Sequence, residues 1–456
     1  MSNEIRDFVL PLHLTPIVYM TLGEKNLMTV PPQWIQSLEY EDNMGEGGGD
    51  TWSATILDQT FNEVERAIIS SGGIGSLSWG YLNGPITPLR KIQVIDWMPR
   101  LTTKGRLLTI RGFDLSCQMR WFSAFEDDGT TPKNKQEFSG IGYHGKPSEV
   151  VARIASEYQE EGILSDSNPE IEDTQSILVD DYTKEEGDKK PMDFVQERDM
   201  TDEAFIKSLI PLSRSVDYDP EDKNAKLINT YYLYFTPDKV GKPILHFHPP
   251  RFDAPVHRRY NFRGQIGSIK SFEPNINGML IGMLAGNITF SGMDSYTGAF
   301  YEVSVTSEGL TVREDGKVKR QSTRRLAIGS MALNNPYRKR GGISALYPSH
   351  FSTSEEAERA AIALWEAWNI RTFQAKATIM GDPELIAGDM VYLNILLPNG
   401  IPDYTSGKYL VMKAIHHVRK AFTMSLDCLS SHARSGNQVA TGPDFKVVTG
   451  PRRVSR

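Results

Sequence analysis

Cysteine is nearly absent: Cys117 and Cys428 are the only two in 456 residues, far apart and in no metal-binding or thiol-redox spacing. A disulfide scaffold is excluded, and reduced, buried thiols are expected. Long apolar runs are missing too. The nearest, Met279 to Ala285 (MLIGMLA), falls short of the ~18 residues a membrane span needs, so no membrane insertion is expected. The N-terminus, MSNEIRDFVLPLHL, carries acids where a signal peptide needs bases, which argues against secretion. A basic excess is also lacking, since the net charge of -7 does not suit a dedicated nucleic-acid binder. What is plentiful is glycine and proline, 38 and 26 residues, against a hydrophobic fraction of 39%. Strands and loops should therefore outweigh long helices. At roughly 150 residues per domain the chain holds two to four domains.

The mean charge conceals segregation. Glu157 to Glu203 contains 17 acids against 4 bases, whereas Arg313 to Arg340 contains 9 bases against 2 acids. Arg434 to Arg456 carries 5 bases and one acid, with few large apolar residues. Such stretches are either solvated faces or patches that serve assembly. The tail after His432 cannot bury enough surface to order itself and is expected to stay extended until a partner holds it.

Residues 1–140 read as β. Ile17 to Met20, Ser76 to Tyr81, Ile92 to Ile95 and Leu107 to Ile110 are short apolar or alternating runs between glycine and proline turns. Their spacing suggests a barrel or sandwich. Residues 141–262 form a middle α/β section. One helix opens at Pro147 with Val150, Val151, Ile154, Ala155 and Tyr158 on one face, and another follows Thr201 as N-cap. The acidic stretch links them, and two aromatic-rich strands follow, Thr230 to Thr236 and Ile244 to His248. Residues 263–432 return to β around a helix over 353–370, where Thr353 and Glu356 form a capping box. Strands are predicted over Ala375 to Met380, Asp389 to Leu396, Tyr409 to Val418 and Phe422 to Leu429. The first and third sections look like two versions of one β unit. Residues 433–456 are the flexible basic tail. The fold class is α+β, mainly β.

Catalytic patterns are missing. Gly73-Ile74-Gly75 lacks a third glycine in register and precedes a strand, so it reads as a turn. Asp217, Asp219, Glu221 and Asp222 resemble the start of a calcium loop, but the sixth position is not glycine and the twelfth is Ile228. His246 and His248 alternate on one strand and share a face. With Asp253 or His257 they have the makings of a metal site, but a strand running into a proline-rich loop explains them without one. His416 and His417 point to opposite faces. No catalytic residue, cofactor or metal is assigned, which favours a structural or binding protein.

The run from Ala375 to Leu429 carries a more specific pattern. A strand is followed by Gly381-Asp382-Pro383, with Leu385 and Gly388 shortly after. Then come a second strand, Ser406, Gly407 and Tyr409 at a strand start, His416 within it, and a closing strand. This resembles the last barrel of the bacteriophage baseplate hub family, relatives of the late control protein D and of the VgrG hub of type VI secretion. Ser76 to Tyr81, Leu107 to Asp114, Pro147 to Tyr158 and Asp199 to Leu212 are similar to earlier parts of that family, in the same order. In physical terms the Gly-Asp-Pro run makes a sharp turn, Gly388 permits close backbone approach, and Tyr409 begins the strand that closes the barrel.

The resemblance implies two tube-protein-like β-barrels with an intervening α/β domain, and a homotrimer forming a pseudo-six-fold ring. It implies a non-enzymatic hub in the virion tail baseplate, assembled in the host cytoplasm. The hub would join a six-fold tail tube or tube initiator to a three-fold central spike, beside baseplate wedge proteins. Tape measure protein and DNA would pass through it without specific binding. Asp180, Asp181, Glu185 and Glu186 are candidate channel acids. The tail, with Arg452, Arg453 and Arg456, is expected to dock on the spike or a neighbouring chain. Its deletion should spare the trimer and weaken spike attachment. Alternatives are the hub of a type VI or other contractile injection system, and a tail-associated peptidoglycan hydrolase. The chain stops soon after the last barrel, which tells against VgrG itself, and no segment outside the hub-like parts is long enough for a hydrolase domain.

Overall fold

The computed structural model describes residues 6–9, 14–28, 35–45, 49–58, 62–103, 105–121, 141–180, 189–197, 200–217, 230–262, 267–277, 287–306, 309–322, 344–348, 351–403 and 405–430. The first section contains β1 (Pro16–Leu22), β2 (Lys25–Met28), β3 (Ile35–Asn43) and β4 (Thr51–Asp58). Helix α1 (Glu63–Ser70) follows, then β5 (Ile74–Tyr81), β6 (Arg90–Thr102) and β7 (Gly105–Asp114). Alternation builds these strands: in β4 the residues Trp52, Ala54, Ile56 and Asp58 are buried and those between them are not. Asp58 is tolerated inside because Arg106 reaches it at 2.9 Å.

The middle section contains β8 (Ile141–Tyr143), α2 (Pro147–Glu160), β9 (Glu170–Ile171), β10 (Leu178–Asp180), β11 (Lys189–Pro191), β12 (Phe194–Gln196), α3 (Asp202–Leu209), β13 (Tyr232–Pro237) and β14 (Pro243–His248). Both helices start where the sequence places them. Glu149 accepts the Lys146 N–H at 3.0 Å, and the Thr201 hydroxyl accepts the Ala204 N–H at 3.3 Å. Their apolar faces pack on Leu233, Phe235, Leu245 and Phe247. The acidic stretch is not purely a linker: β9 pairs with β14, β10 with β11, and β12 with β8. These pairings last two or three residues, held by buried Ile177, Val179 and Phe194 beneath a charged exterior.

The last section contains β15 (Val256–Phe262), β16 (Ile269–Ile276), β17 (Asn287–Met293), β18 (Phe300–Thr306), β19 (Gly309–Glu314), β20 (Lys317–Ser322) and β21 (Ser344–Pro348). Helix α4 (Ser354–Ile370) and the strands β22 (Phe373–Met380), β23 (Met390–Ile395), β24 (Gly407–Val418) and β25 (Phe422–Ser430) complete it. Its residues divide between two sheets. Strands β17 to β21 form a five-stranded sheet covered by α4, with Ile288, Tyr301, Val303 and Trp365 between them. The helix begins with the expected capping box: the Glu356 carboxylate accepts the Thr353 N–H at 3.0 Å, and the Thr353 hydroxyl accepts the Glu356 N–H at 3.2 Å. All other strands of this section join the first section in one 13-stranded sheet. The two β sections therefore share a single apolar core, running from Val18, Trp79 and Ile110 to Ile379, Tyr409 and Met424.

Candidate functional site

The join between the β sections is a strand seam. Strand β24 is long enough to serve two partners on one edge. Its start pairs with β23, from Gly407↔Leu393 to Leu410↔Met390. Beyond an irregularity between Val411 and Lys413 it pairs with β3, from Lys413↔Asn43 to Val418↔Leu38. A bulge bends a strand and re-aims it, which lets one strand leave its own unit for the next.

The units on either side repeat one plan. In chain order the first supplies β3, β4, β5, β6 and β7, and the second supplies β16, β22, β23, β24 and β25. Both sheets run first, second, fifth, fourth, third, with every neighbour antiparallel. The irregularities coincide: β3 shifts register between Ile35 and Ser37 and β16 between Ile269 and Ser271, while β6 shifts between Val94 and Asp96 and β24 between Val411 and Lys413. A groove crosses the solvent face of each unit, past Glu39, Glu41, Trp52 and Asp96 in one and past Glu273, Asn275 and Lys413 in the other.

The sequence-predicted residues gather at the seam and the turn behind it. Gly381 lies where a Cβ would fall 2.2 Å from the Phe422 ring. Its N–H donates to the Phe422 carbonyl at 3.0 Å, and its own carbonyl accepts the Tyr81 hydroxyl of the first section at 2.8 Å. Close approach is therefore found at Gly381. Gly388 has it as well, a Cβ there falling 3.1 Å from the Tyr234 hydroxyl of the middle section, and adds a left-handed backbone, φ 92°. Asp382 is fully buried and accepts from Arg258 at 2.9 Å and Tyr260 at 2.7 Å, with His257 Nε2 3.8 Å away. Burial opposes its charge, but His257, Tyr260 and Arg258 outweigh it and hold the carboxyl below its usual range. Pro383 follows it in the turn. The Ser406 hydroxyl exchanges hydrogen bonds with Ile395, accepting its N–H at 2.9 Å and donating to its carbonyl at 3.0 Å. Gly407 opens β24 and is buried, and the Tyr409 hydroxyl donates to the Thr405 carbonyl.

His416 faces Tyr40 across the seam, fully buried, with Trp79 5.0 Å and Phe422 5.9 Å from its ring. Neither ring nitrogen has a hydrogen-bond partner. Burial, and then Arg90, push its pKa well below 6.5, so the ring is neutral. Sequence reasoning missed Arg90, which is buried 2.8 Å from Asp42 and 2.9 Å from Asp50, its guanidinium 4.7 Å from the Tyr40 ring centre. Burial opposes its charge, but Tyr40, Asp42 and Asp50 outweigh it. At the start of its strand and next to Lys91, it reads as an ordinary surface base.

Other predicted residues lie elsewhere. His246 and His248 share a face as expected, but the carboxylate beside them is Glu170 on β9, brought there by the register pair His246↔Glu170. Arg251 already binds Glu170 at 2.8 Å, and the two rings bond Thr236 at 2.6 Å, Tyr234 at 3.1 Å and the Pro249 carbonyl at 2.7 Å. His257 sits instead with Asp382. Asp180 lies in β10, its backbone paired with Lys189. Asp181, Glu185, Glu186, Arg452, Arg453 and Arg456 fall outside the described residues, as does most of the basic stretch beyond Ser322. Cys117 and Cys428 are free and buried.

No protein-family model matches the chain, and no curated protein sequence does. Solved structures do. The 43 kDa tail protein of prophage MuSo2 from Shewanella oneidensis aligns over 92% of this chain and 100% of its own, with a TM-score of 0.52 at 10% identity. The tail protein from Neisseria meningitidis MC58 aligns over 92% of this chain and 98% of its own, with a TM-score of 0.51 at 10% identity. A component of the E. coli type VI secretion system overlaps at a TM-score of 0.44 and 7% identity. The chain has the mainly β fold of these tail proteins, as the residues around Gly381 and His416 led one to expect.

Proposed function

We propose that this chain is the baseplate hub of a contractile-tailed phage, a trimeric ring joining a six-fold tail tube to a three-fold spike. The observation that carries the reading is the internal duplication: one chain holds two equivalent sheet units fused edge to edge through β24 and β3. Three such chains supply six units while keeping three-fold symmetry, which is what a six-to-three adaptor needs. The fold shared with a prophage tail protein and a second tail protein supports a phage tail over a secretion machine. The role we assign is structural: Arg90, Asp42 and Asp50 lie buried behind the seam, bound to one another, and serve to fix the joint. Particle mass tests the reading. Three chains per particle are expected, and single chains at every concentration would contradict it.

The polar face of the continuous sheet is the surface we assign to the passage. Its charges are of both signs and offset one another: Lys413 lies 2.6 Å from Glu41 and Lys376 4.0 Å from Asp427. Such a face offers DNA phosphates little net attraction, so DNA slides without binding. Glu39→Lys with Glu41→Lys is expected to slow DNA ejection from assembled particles. An unchanged rate would remove this face from the passage.

A further inference from the structure

The seam inside the chain leaves its counterpart unmade. Strand β24 leaves its own unit after its bulge and pairs with β3, the first strand of the other unit. The equivalent strand of the first unit is β6, and the equivalent first strand of the second unit is β16. Among the described residues, β6 beyond Asp96 pairs only with β7, and β16 pairs only with β22. Each therefore offers one open edge. An open edge is an aggregation hazard unless another strand covers it.

We propose that β6 of one copy pairs antiparallel with β16 of the next. Its register is that of the internal seam: Asp96↔Asn277, Trp97↔Ile276, Met98↔Asn275, Pro99↔Pro274, Arg100↔Glu273 and Leu101↔Phe272. The assignment follows from landmarks on both strands. Gln93 is the last β6 residue paired with β5, as Leu410 is the last β24 residue paired with β23. The bulge after each makes Asp96 equivalent to Lys413 and Leu101 equivalent to Val418. The irregularities at Ile35/Ser37 and Ile269/Ser271 make Leu38 equivalent to Phe272 and Asn43 equivalent to Asn277. Carrying over Lys413↔Asn43 through Val418↔Leu38 gives the register without adjustment.

Two independent features of the edges suit it. Arg100 lands opposite Glu273, where the internal seam has His417 opposite Glu39, and both are exposed in the single chain. Opposite charges directly across a ladder are favourable and fix register. Leu101 is 79% exposed, whereas its equivalent Val418, already covered by β3, is 1% exposed. Pro99 and Pro274 oppose each other, so that step of the ladder lacks its backbone donors and the neighbouring pairs hold it. Because the contact joins unlike edges head to tail, it generates a ring when the rotation closes.

The number of copies rests on the hub reading, whereas the register stands apart from it. The full chain carrying Arg100→Cys with Glu273→Cys is oxidised and run unreduced, beside Arg100→Cys with Asn277→Cys, four residues out of register. Directly opposed residues sit ~4.5–5.5 Å apart at Cα, within disulfide reach, and four residues of strand add ~13 Å. Expected are covalent dimers and trimers from the first pair only. The native thiols are buried, Cys117 with its pKa pushed up to about 12, and contribute little background. A three-chain particle in which the first pair stays reduced, or in which the second pair links, overturns the register and leaves the hub standing. A single-chain particle overturns both. Without cysteines, Arg100→Glu should release single chains and Arg100→Glu with Glu273→Arg should restore the assembly; failure of that rescue also overturns the register.

Discussion

At the scale of single residues, His416 shows what the seam demands. It was legible as part of a barrel pattern, but its surroundings were not, because Tyr40 and Trp79 lie over three hundred positions away in sequence. Its depressed pKa has a consequence for stability. The unfolded chain takes up a proton near pH 6.5 and the folded chain does not, so stability falls as pH drops below about 6.5. Asp50 and Asp114, whose pKa values burial raises, contribute in the opposite sense, losing stability as pH rises. They are common to the wild type and a His416→Phe variant, so comparing the two isolates the histidine. The variant should gain on the wild type by up to ~1.4 kcal/mol per pH unit below about 6.5 and stay parallel above it. Denaturant midpoints across that range check this, and parallel curves throughout would contradict it.

At the scale of elements, alternation and capping residues were enough to place most strands and the helices α2, α3 and α4, while α1 (Glu63–Ser70) was not foreseen. Register was not legible, since no local signal says that Lys413 meets Asn43. The five-stranded sheet was merged with its neighbours for the same reason: its strands alternate like any others, and only pairing separates them. The turn between β22 and β23 stood out in the sequence, and the close approach expected at Gly388 occurs at Gly381 too. Gly381→Ala would drive a methyl into the Phe422 ring and break the fit between turn and closing strand. A loss of about 1–3 kcal/mol is expected. Gly142→Ala, which meets nothing within 4 Å and sits at no positive φ, should be neutral. Equal unfolding midpoints for the two variants would contradict the close-approach role.

At the scale of the molecule, the duplication first visible as two similar β sections becomes a shared strand order with matching bulges. One seam is made within the chain, between β24 and β3, and in our proposal a second copy completes its equivalent. The charge segregation that first distinguished the sequence belongs mostly to other parts: the acidic stretch decorates the middle section, and the seam uses a few charges, Arg90, Asp42 and Asp50 buried and Glu41 paired with Lys413 at its surface. The central claim is that the chain is built to be completed by its own copies. The mass of the purified particle in solution tests it most directly. The account predicts a particle of three 51.2 kDa chains that persists on dilution. A particle of one chain, at every concentration at which the protein stays folded, would contradict it.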